Sequence, residues 1–286
     1  MCSTISIQSA LRSATETLGH CSTSARVDAE ALILHTLKKT RSYIRAWPEK
    51  NLTTWQSTEF EKLVESRAQG TPVAYLTGIR EFWSREFEVN PEVLIPRHET
   101  ELLIELALSL IPTRQNISIL ELGTGSGAIA VTLAAERPDS NIIATDISST
   151  ALQVAARNAS RHKASNIEFR TSNWFDQLDN TLYDMILSNP PYVAENDTHL
   201  NQGDLVFEPK IALQSGPQGL DALTIIAARS GKKLLNGGHL IVEHGYQQYE
   251  IFRTLLNQFN YQNIQAYTDL QGHKRLTHAQ MTVSAY

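Results

Sequence analysis

Cysteine is nearly absent: Cys2 and Cys21 are the only two in 286 residues. Neither stands beside a second cysteine or a histidine cluster, so neither a disulfide framework nor a zinc site is indicated, and reduced thiols are the simpler account. Long apolar runs are absent too. No stretch approaches the roughly 20 apolar residues of a membrane span, and Met1-Cys2-Ser3-Thr4-Ile5-Ser6 lacks a basic region leading into an apolar block. The chain therefore reads as soluble and cytoplasmic. It has no Gly-Lys-Ser/Thr, which excludes the phosphate-cradling loop of nucleotide hydrolases, and no Gly-x-Ser-x-Gly turn for acyl transfer. Of the nine histidines, His98 and His244 fall in contexts of interest. His20, His35, His162, His199, His239, His273 and His278 are scattered without metal-ligand spacing, so no metal is expected.

What is present suffices for a catalytic domain and a smaller one: 31.9 kDa, 42% hydrophobic residues, and no low-complexity run or repeat. The first part is patterned as helices, from Ile7 onward, Ala25 to Leu37 and Thr54 to Arg67, with Ala29, Leu32, Ile33 and Leu37 on one face. Gly70-Thr71-Pro72 interrupts it. Val73–Gly78 and Phe82–Val89 are expected to be two strands around a turn. The predicted division is a helical domain over 1–72, a β-hairpin linker over 73–90 and a catalytic domain over 91–286. Residues 1–75 hold 9 Lys and Arg against 7 Asp and Glu, a net of +2, which leaves 16 against 23, a net of −7, for 76–286. An acidic catalytic part works against a nucleic-acid cleft, which needs positive potential to neutralise phosphates.

Four predicted strands deliver polar residues to one sheet edge. Ile117–Leu122 runs into Gly123-Thr124-Gly125-Ser126-Gly127 and an Ala-rich helix from Ala128, a strand, glycine loop and helix that let a ligand approach free backbone N–H groups. Read alone, such a loop is equally a tight turn that binds nothing. Asn141–Thr145 ends at Asp146, which can accept both hydroxyls of a ribose or cap the helix from Ser149 to Ala159. Ile167–Thr171 leads to Ser172-Asn173-Trp174-Phe175, where an aromatic ring and a polar side chain suit an adenine, or a surface loop has a buried aromatic anchor. A buried strand ending at Ser188 leads to Asn189-Pro190-Pro191-Tyr192. Two prolines cannot continue a central strand, so the backbone leaves the sheet with its carbonyls outward. An Asn oxygen beside a Pro carbonyl is a pair of acceptors, suited to an amide or exocyclic amine with two N–H donors.

Taken together, these strand ends resemble the S-adenosylmethionine-dependent methyltransferases that modify planar nitrogens. Leu94-Ile95-Pro96-Arg97-His98-Glu99-Thr100-Glu101, Gly70-x-Pro72, Leu76-x-Gly78, Asn173-Trp174-Phe175 and Glu243-His244-Gly245 narrow the match. Over essentially its whole length the chain resembles the bacterial peptide chain release factor glutamine N5-methyltransferases. Glu121 stands where that family has Asp, and Asn173 where Asp precedes Trp-Phe, departures that bear on cofactor affinity more than on activity. Gly272–Ala279 follows the family ending loosely.

The resemblance implies an α/β fold: a Rossmann-like methyltransferase domain with a small helical domain, joined by a β-hairpin. It implies S-adenosyl-L-methionine bound by Glu121, Gly123, Thr124, Gly125, Ser126, Gly127, Asp146, Asn173, Trp174 and Asn189. Asn189, Pro190, Pro191 and Tyr192 would hold the glutamine, with Asn189, Pro190 and Tyr192 catalytic and Tyr192 packed on the amide plane. Class 1 release factors would be the partners, recognised by residues 1–72, with no nucleic acid, no membrane and a monomeric state. Glu208-Pro209 reads either as support for the pocket or as a plain turn. The alternatives are an enzyme acting on a ribosomal-protein glutamine, a DNA adenine-N6 methyltransferase and a non-catalytic cofactor-binding protein.

Overall fold

The computed structural model describes residues 5–111 and 116–282; Cys2 lies outside them. Contacts divide the chain into two units: one runs through Ile79 and takes in Asn201–Phe207, and the other comprises Arg80–Leu200 and the chain from Glu208 onward.

The first unit is helical because its apolar residues recur at helical spacing. Helix α1 (Ile7–Leu18) buries Ile7, Ala10, Ala14 and Leu18, and its N-terminal cap Ser6 accepts from Ser9 N–H. Helix α2 (Ala25–Leu37) adds Ala29, Leu32 and Ile33 to the same core. After the short α3 (Arg41–Ala46), α4 (Thr54–Ala68) begins on a capping box between Thr53 and Gln56. Asp28, buried on α2, is held by Arg67 Nε at 2.8 Å, and Arg67 Nη1 also reaches Asp204 at 3.0 Å. The ring of Phe207 lies where a side chain at Gly70 would stand.

One expectation is corrected here. Val73–Thr77 form a helix, α5, not a strand. Pro72 precedes it and Gly78 closes it at φ 74°, so the two residues read as turn breakers are its start and stop. The hairpin lies later, as β1 (Ile79–Phe82) and β2 (Arg85–Glu88), around Trp83 and Ser84 at φ 52° and 56°.

The second unit continues with α6 (Glu101–Leu110), β3 (Ser118–Leu122), α7 (Ala128–Glu136), β4 (Asn141–Asp146), α8 (Ser149–Arg161), β5 (Ile167–Thr171), β6 (Tyr183–Ser188), α9 (Asp221–Ser230), β7 (Leu234–Glu243), α10 (Tyr249–Gln258), β8 (Tyr261–Thr268) and β9 (Lys274–Met281). Its described strands form a seven-stranded sheet in the order β5-β4-β3-β6-β7-β9-β8. Pairing is parallel from β5 to β7, and β9 runs antiparallel to both β7 and β8. Ile119, Met185 and Leu187 belong to a core with α6 and α7, while Leu120, Leu122 and Ile186 belong to one with α9 and α10. Helices on both faces explain why β3 and β6 are near-continuous apolar runs. The chain winds outward from β3 through β4 to β5, then returns to β6 on the other side of β3. That reversal opens a crevice at the strand ends, where such sheets bind ligands.

Candidate active site

At that crevice Ser188 donates to Leu122 C=O at 2.8 Å, tying together the ends of β6 and β3. A cavity of about 370 Å³ lies above them. Of the residues expected to form a site, Glu121, Gly123, Thr124, Gly125, Ser126, Asp146, Asn173, Trp174, Asn189 and Pro191 line it, whereas Gly127, Pro190 and Tyr192 do not. Gly127 begins α7 at φ 82°, backed closely by Ala155. Pro190 is buried.

Glu121 is 1% exposed. Its Oε2 accepts from Thr124 Oγ1 at 2.7 Å and from Ala130 N–H at 3.1 Å, while Oε1 has no partner. Burial pushes its carboxyl up to about 7. A buried acceptor without a partner is complementary to a cationic donor. Asp146 caps no helix; Ser148 caps α8 by accepting from Ala151 N–H. Instead Asp146 accepts from Gly125 N–H and Ser148 N–H, both at 2.9 Å, bridging the glycine loop to the end of β4. Burial raises its carboxyl as well, against those backbone donors. A carboxylate so bound keeps lone pairs for further donors. Gly125, at φ 54°, would point a side chain into open space, so its lack of one keeps the cavity clear. Beyond β5, Ser172 Oγ donates to Trp174 C=O at 2.8 Å, and Phe175 is the buried anchor of that loop.

The opposite wall rests on residues far apart in sequence. Asn189 Nδ2 donates to Thr100 Oγ1 at 3.0 Å, and Thr100 Oγ1 donates to Glu243 Oε2 at 2.7 Å. Tyr192 does not line the cavity; its hydroxyl donates to Glu243 Oε1 at 3.4 Å. Burial pushes Glu243 up to about 7, and raises the Tyr192 hydroxyl too. Gln248 Nε2 donates to Tyr192 C=O at 2.9 Å and Gly219 C=O at 3.1 Å, closing the loop from behind. Any side chain at Gly219 would stand 2.3 Å from that Tyr192 oxygen. Arg97, on the cavity wall, is held by the buried Glu208 carboxylate at 2.6 Å, so Glu208-Pro209 is support and not a plain turn.

Thr100 and Glu243 stand in stretches that carry the resemblance, but their pairing escapes a reading of local motifs, and Gln248 escapes it altogether. Thr100 sits at the start of a helix, where threonine is unremarkable, and nothing in the sequence reveals that β7 ends beside it. The cavity-lining Ile211, Gln214 and Ser215 come from a segment without period. Among the described residues no three His, Cys, Asp or Glu side chains could hold a metal ion, and no helix is long and apolar enough to cross a membrane.

Two domain families match: the PrmC N-terminal domain over residues 9–78 and the Methyltransferase small domain over residues 99–218. The chain is 46% identical over 252 residues to a release factor glutamine methyltransferase of Xylella fastidiosa, covering 88% of this chain and 92% of that protein. It is 43% identical over 275 residues to the protein of that name from Vibrio cholerae, covering 96% of each, and 43% identical over 256 residues to that from Escherichia coli, covering 90% and 92%. Among solved structures, a methyltransferase from Pyrococcus furiosus superposes with a TM-score of 0.54 at 16% identity over 70% of this chain and 91% of that one. The hMettl16 catalytic domain in complex with MAT2A 3′UTR hairpin 1 gives 0.57 at 17% identity over 77% and 81%. At such identities the likeness concerns the fold alone.

Proposed function

The chain belongs to the release factor glutamine methyltransferases, and on that premise we propose that it transfers a methyl group from S-adenosyl-L-methionine to the side-chain nitrogen, N5, of the glutamine in the Gly-Gly-Gln loop of class 1 release factors. The observation that carries this reading is that one cavity brings together Glu121 from β3, Asp146 from β4 and Asn189 from beyond β6. The residues present fit the cofactor. Glu121 has a buried oxygen free for an ammonium, Asp146 keeps lone pairs for ribose hydroxyls, and Asn173 and Trp174 lie on the wall where an adenine would go. Gly123, Thr124, Gly125 and Ser126 let it lie close to backbone, and Gly127 completes the turn into α7.

The cofactor supplies a methyl group on a sulfonium; the protein supplies placement. A glutamine amide nitrogen is a weak nucleophile, since its lone pair is delocalised into the carbonyl. Asn189 Oδ1, on the cavity wall, accepts one of its N–H bonds, holds the nitrogen toward the methyl carbon and stabilises the positive charge that develops there. Pro191 lines the same wall, and Tyr192 secures it from behind through Glu243.

The helical unit through Ile79 is the recognition module in this reading, and Trp47 and Trp55, 53% and 66% exposed on it, offer apolar contact area. The protein works as a monomer in the cytoplasm, with the release factor as partner and no nucleic acid bound directly. Purified protein incubated with labelled cofactor and a release factor should place label on the loop glutamine, located by mass spectrometry. Labelling of a ribosomal protein or DNA instead, or equal labelling of a release factor whose loop glutamine is replaced by alanine, would overturn the assignment.

A further inference from the structure

Thr100 occupies the cap position of α6, yet its hydroxyl caps nothing. It is 5% exposed and spans two other side chains, accepting from Asn189 Nδ2 and donating to Glu243 Oε2. A hydroxyl has one hydrogen and an ionised carboxylate only acceptors. With Glu243 ionised, Thr100 must spend its hydrogen on Glu243 and can only accept from Asn189. Only the Nδ2 end of the Asn189 amide can supply that bond, so Oδ1 is left for the cavity.

We infer that Glu243, acting through the Thr100 hydroxyl, sets the rotation of the Asn189 amide and thereby makes it an acceptor toward the incoming glutamine. The inference rests on the proposed function. It makes Thr100 and Glu243 positioning residues, since neither need touch the reacting atoms. A half-turn of the Asn189 amide changes its shape hardly at all but would oppose its NH2 to the substrate's NH2, donors against donors. Shape alone cannot prevent that error; the hydrogen on Thr100 can.

The relay works in one ionisation state. A protonated Glu243 can donate to Thr100, which frees the Thr100 hydrogen for Asn189 Oδ1 and lifts the constraint. Tyr192 donates to the same carboxylate and Arg275 favours its charge, while burial and Glu99 oppose it. His244, next in the chain, has its pKa lowered by burial, with its ring nitrogens on Gly245 C=O and Thr277 Oγ1. Burial carries Glu243 up to about 7, so the relay switches within the working range of pH.

The test compares single-turnover methylation of a release factor, at saturating cofactor and substrate, by wild type, Thr100→Val, Thr100→Ser and Glu243→Gln. Thr100→Val keeps the shape and removes the hydroxyl; its rate should fall about thirtyfold, within the range that misplacement of a reacting group costs, with cofactor affinity unchanged and the melting temperature lowered, since Asn189 and the buried Glu243 each lose a partner. Thr100→Ser should restore the rate to within about threefold, because it restores the same hydrogen. The wild-type rate should fall with acid through about pH 7, and Glu243→Gln, which cannot ionise, should be slower and lack that limb. A Thr100→Val enzyme as fast as wild type, a Thr100→Ser enzyme as slow as Thr100→Val, or an acid limb that survives in Glu243→Gln overturns the relay. If Thr100→Val does not fold, the Glu243→Gln pH profile decides. A wild-type protein that leaves the release factor glutamine unmethylated overturns the function itself; full activity of wild type and Thr100→Val alike removes only the relay.

Discussion

The two walls of the cavity are built on different principles. On the β3–β4 side the partners are near in sequence: Glu121 to Thr124 spans 3 residues, Glu121 to Ala130 spans 9, Asp146 to Ser148 spans 2 and Asp146 to Gly125 spans 21. Beyond β6 they are remote: Asn189 to Thr100 spans 89, Thr100 to Glu243 spans 143, and Arg97 to Glu208 spans 111. A wall made locally is organised by its own turn and helix start, and it suits a ligand held by backbone amides. A wall assembled from four places depends on the whole unit being correctly packed. In the proposed function, the first holds a cofactor of fixed shape, and the second aims one atom at a protein glutamine.

The largest effect should come from breaking the remote wall at its centre. Asn189→Ala should slow methyl transfer by at least about a hundredfold, the scale for removing a preorganised transition-state contact, yet leave cofactor affinity within about tenfold. Single-turnover assay and calorimetry on the same preparation separate the two quantities. Equal losses in both would mean that the walls do not divide the labour.

Next, the local wall: Asp146→Ala should weaken cofactor binding by about 1–3 kcal/mol, the range for a lost charged hydrogen-bonding group. Unchanged calorimetric affinity in a folded variant would remove Asp146 from the cofactor site.

A smaller effect concerns pH. Burial, with the nearby Asp146 adding to it, pushes Glu121 up to about 7; a bound ammonium would favour its charge, so cofactor affinity should rise with pH through about 7 and the rise should vanish in Glu121→Gln. Stability moves the other way. Glu121 and Glu243 both have folded pKa values raised above 4.5 to about 7, so the native state binds the extra protons between those values. The stability they contribute is present at the acid end of that window and is lost as pH rises through it. Melting temperatures measured from pH 5 to 8 should show a shallower decline in Glu121→Gln than in wild type; an equal decline would mean that Glu121 ionises no less easily folded than unfolded.

The same contrast governs what could be read from the sequence. The β3 strand, its glycine loop and Asp146 follow each other in order, and the apolar runs of β3 and β6 betray strands buried on both faces. The helix over Val73–Thr77 was obscured because Pro72 and Gly78 punctuate turns and short helices alike. Asn189 was legible as a residue of the cavity wall, since two prolines take the chain out of the sheet beside it. The Thr100 and Glu243 partners were not, since a pairing across 143 residues exists only once α6 and β7 have met. Nor does any pattern foretell that Asn201–Phe207 joins the helical unit, a matter of one aromatic ring opposite Gly70 and one carboxylate reaching Arg67.

Strand β9 has a consequence for the order of assembly. It is the last strand of the described chain, yet it lies between β7 and β8, and its Leu276 pairs with Glu243. During synthesis β7 therefore emerges with one edge bare and stays so until residues up to Met281 leave the ribosome. The carboxylate behind Asn189 gains its strand neighbour only then, so binding elements near β3 can mature on a growing chain well before catalysis is possible.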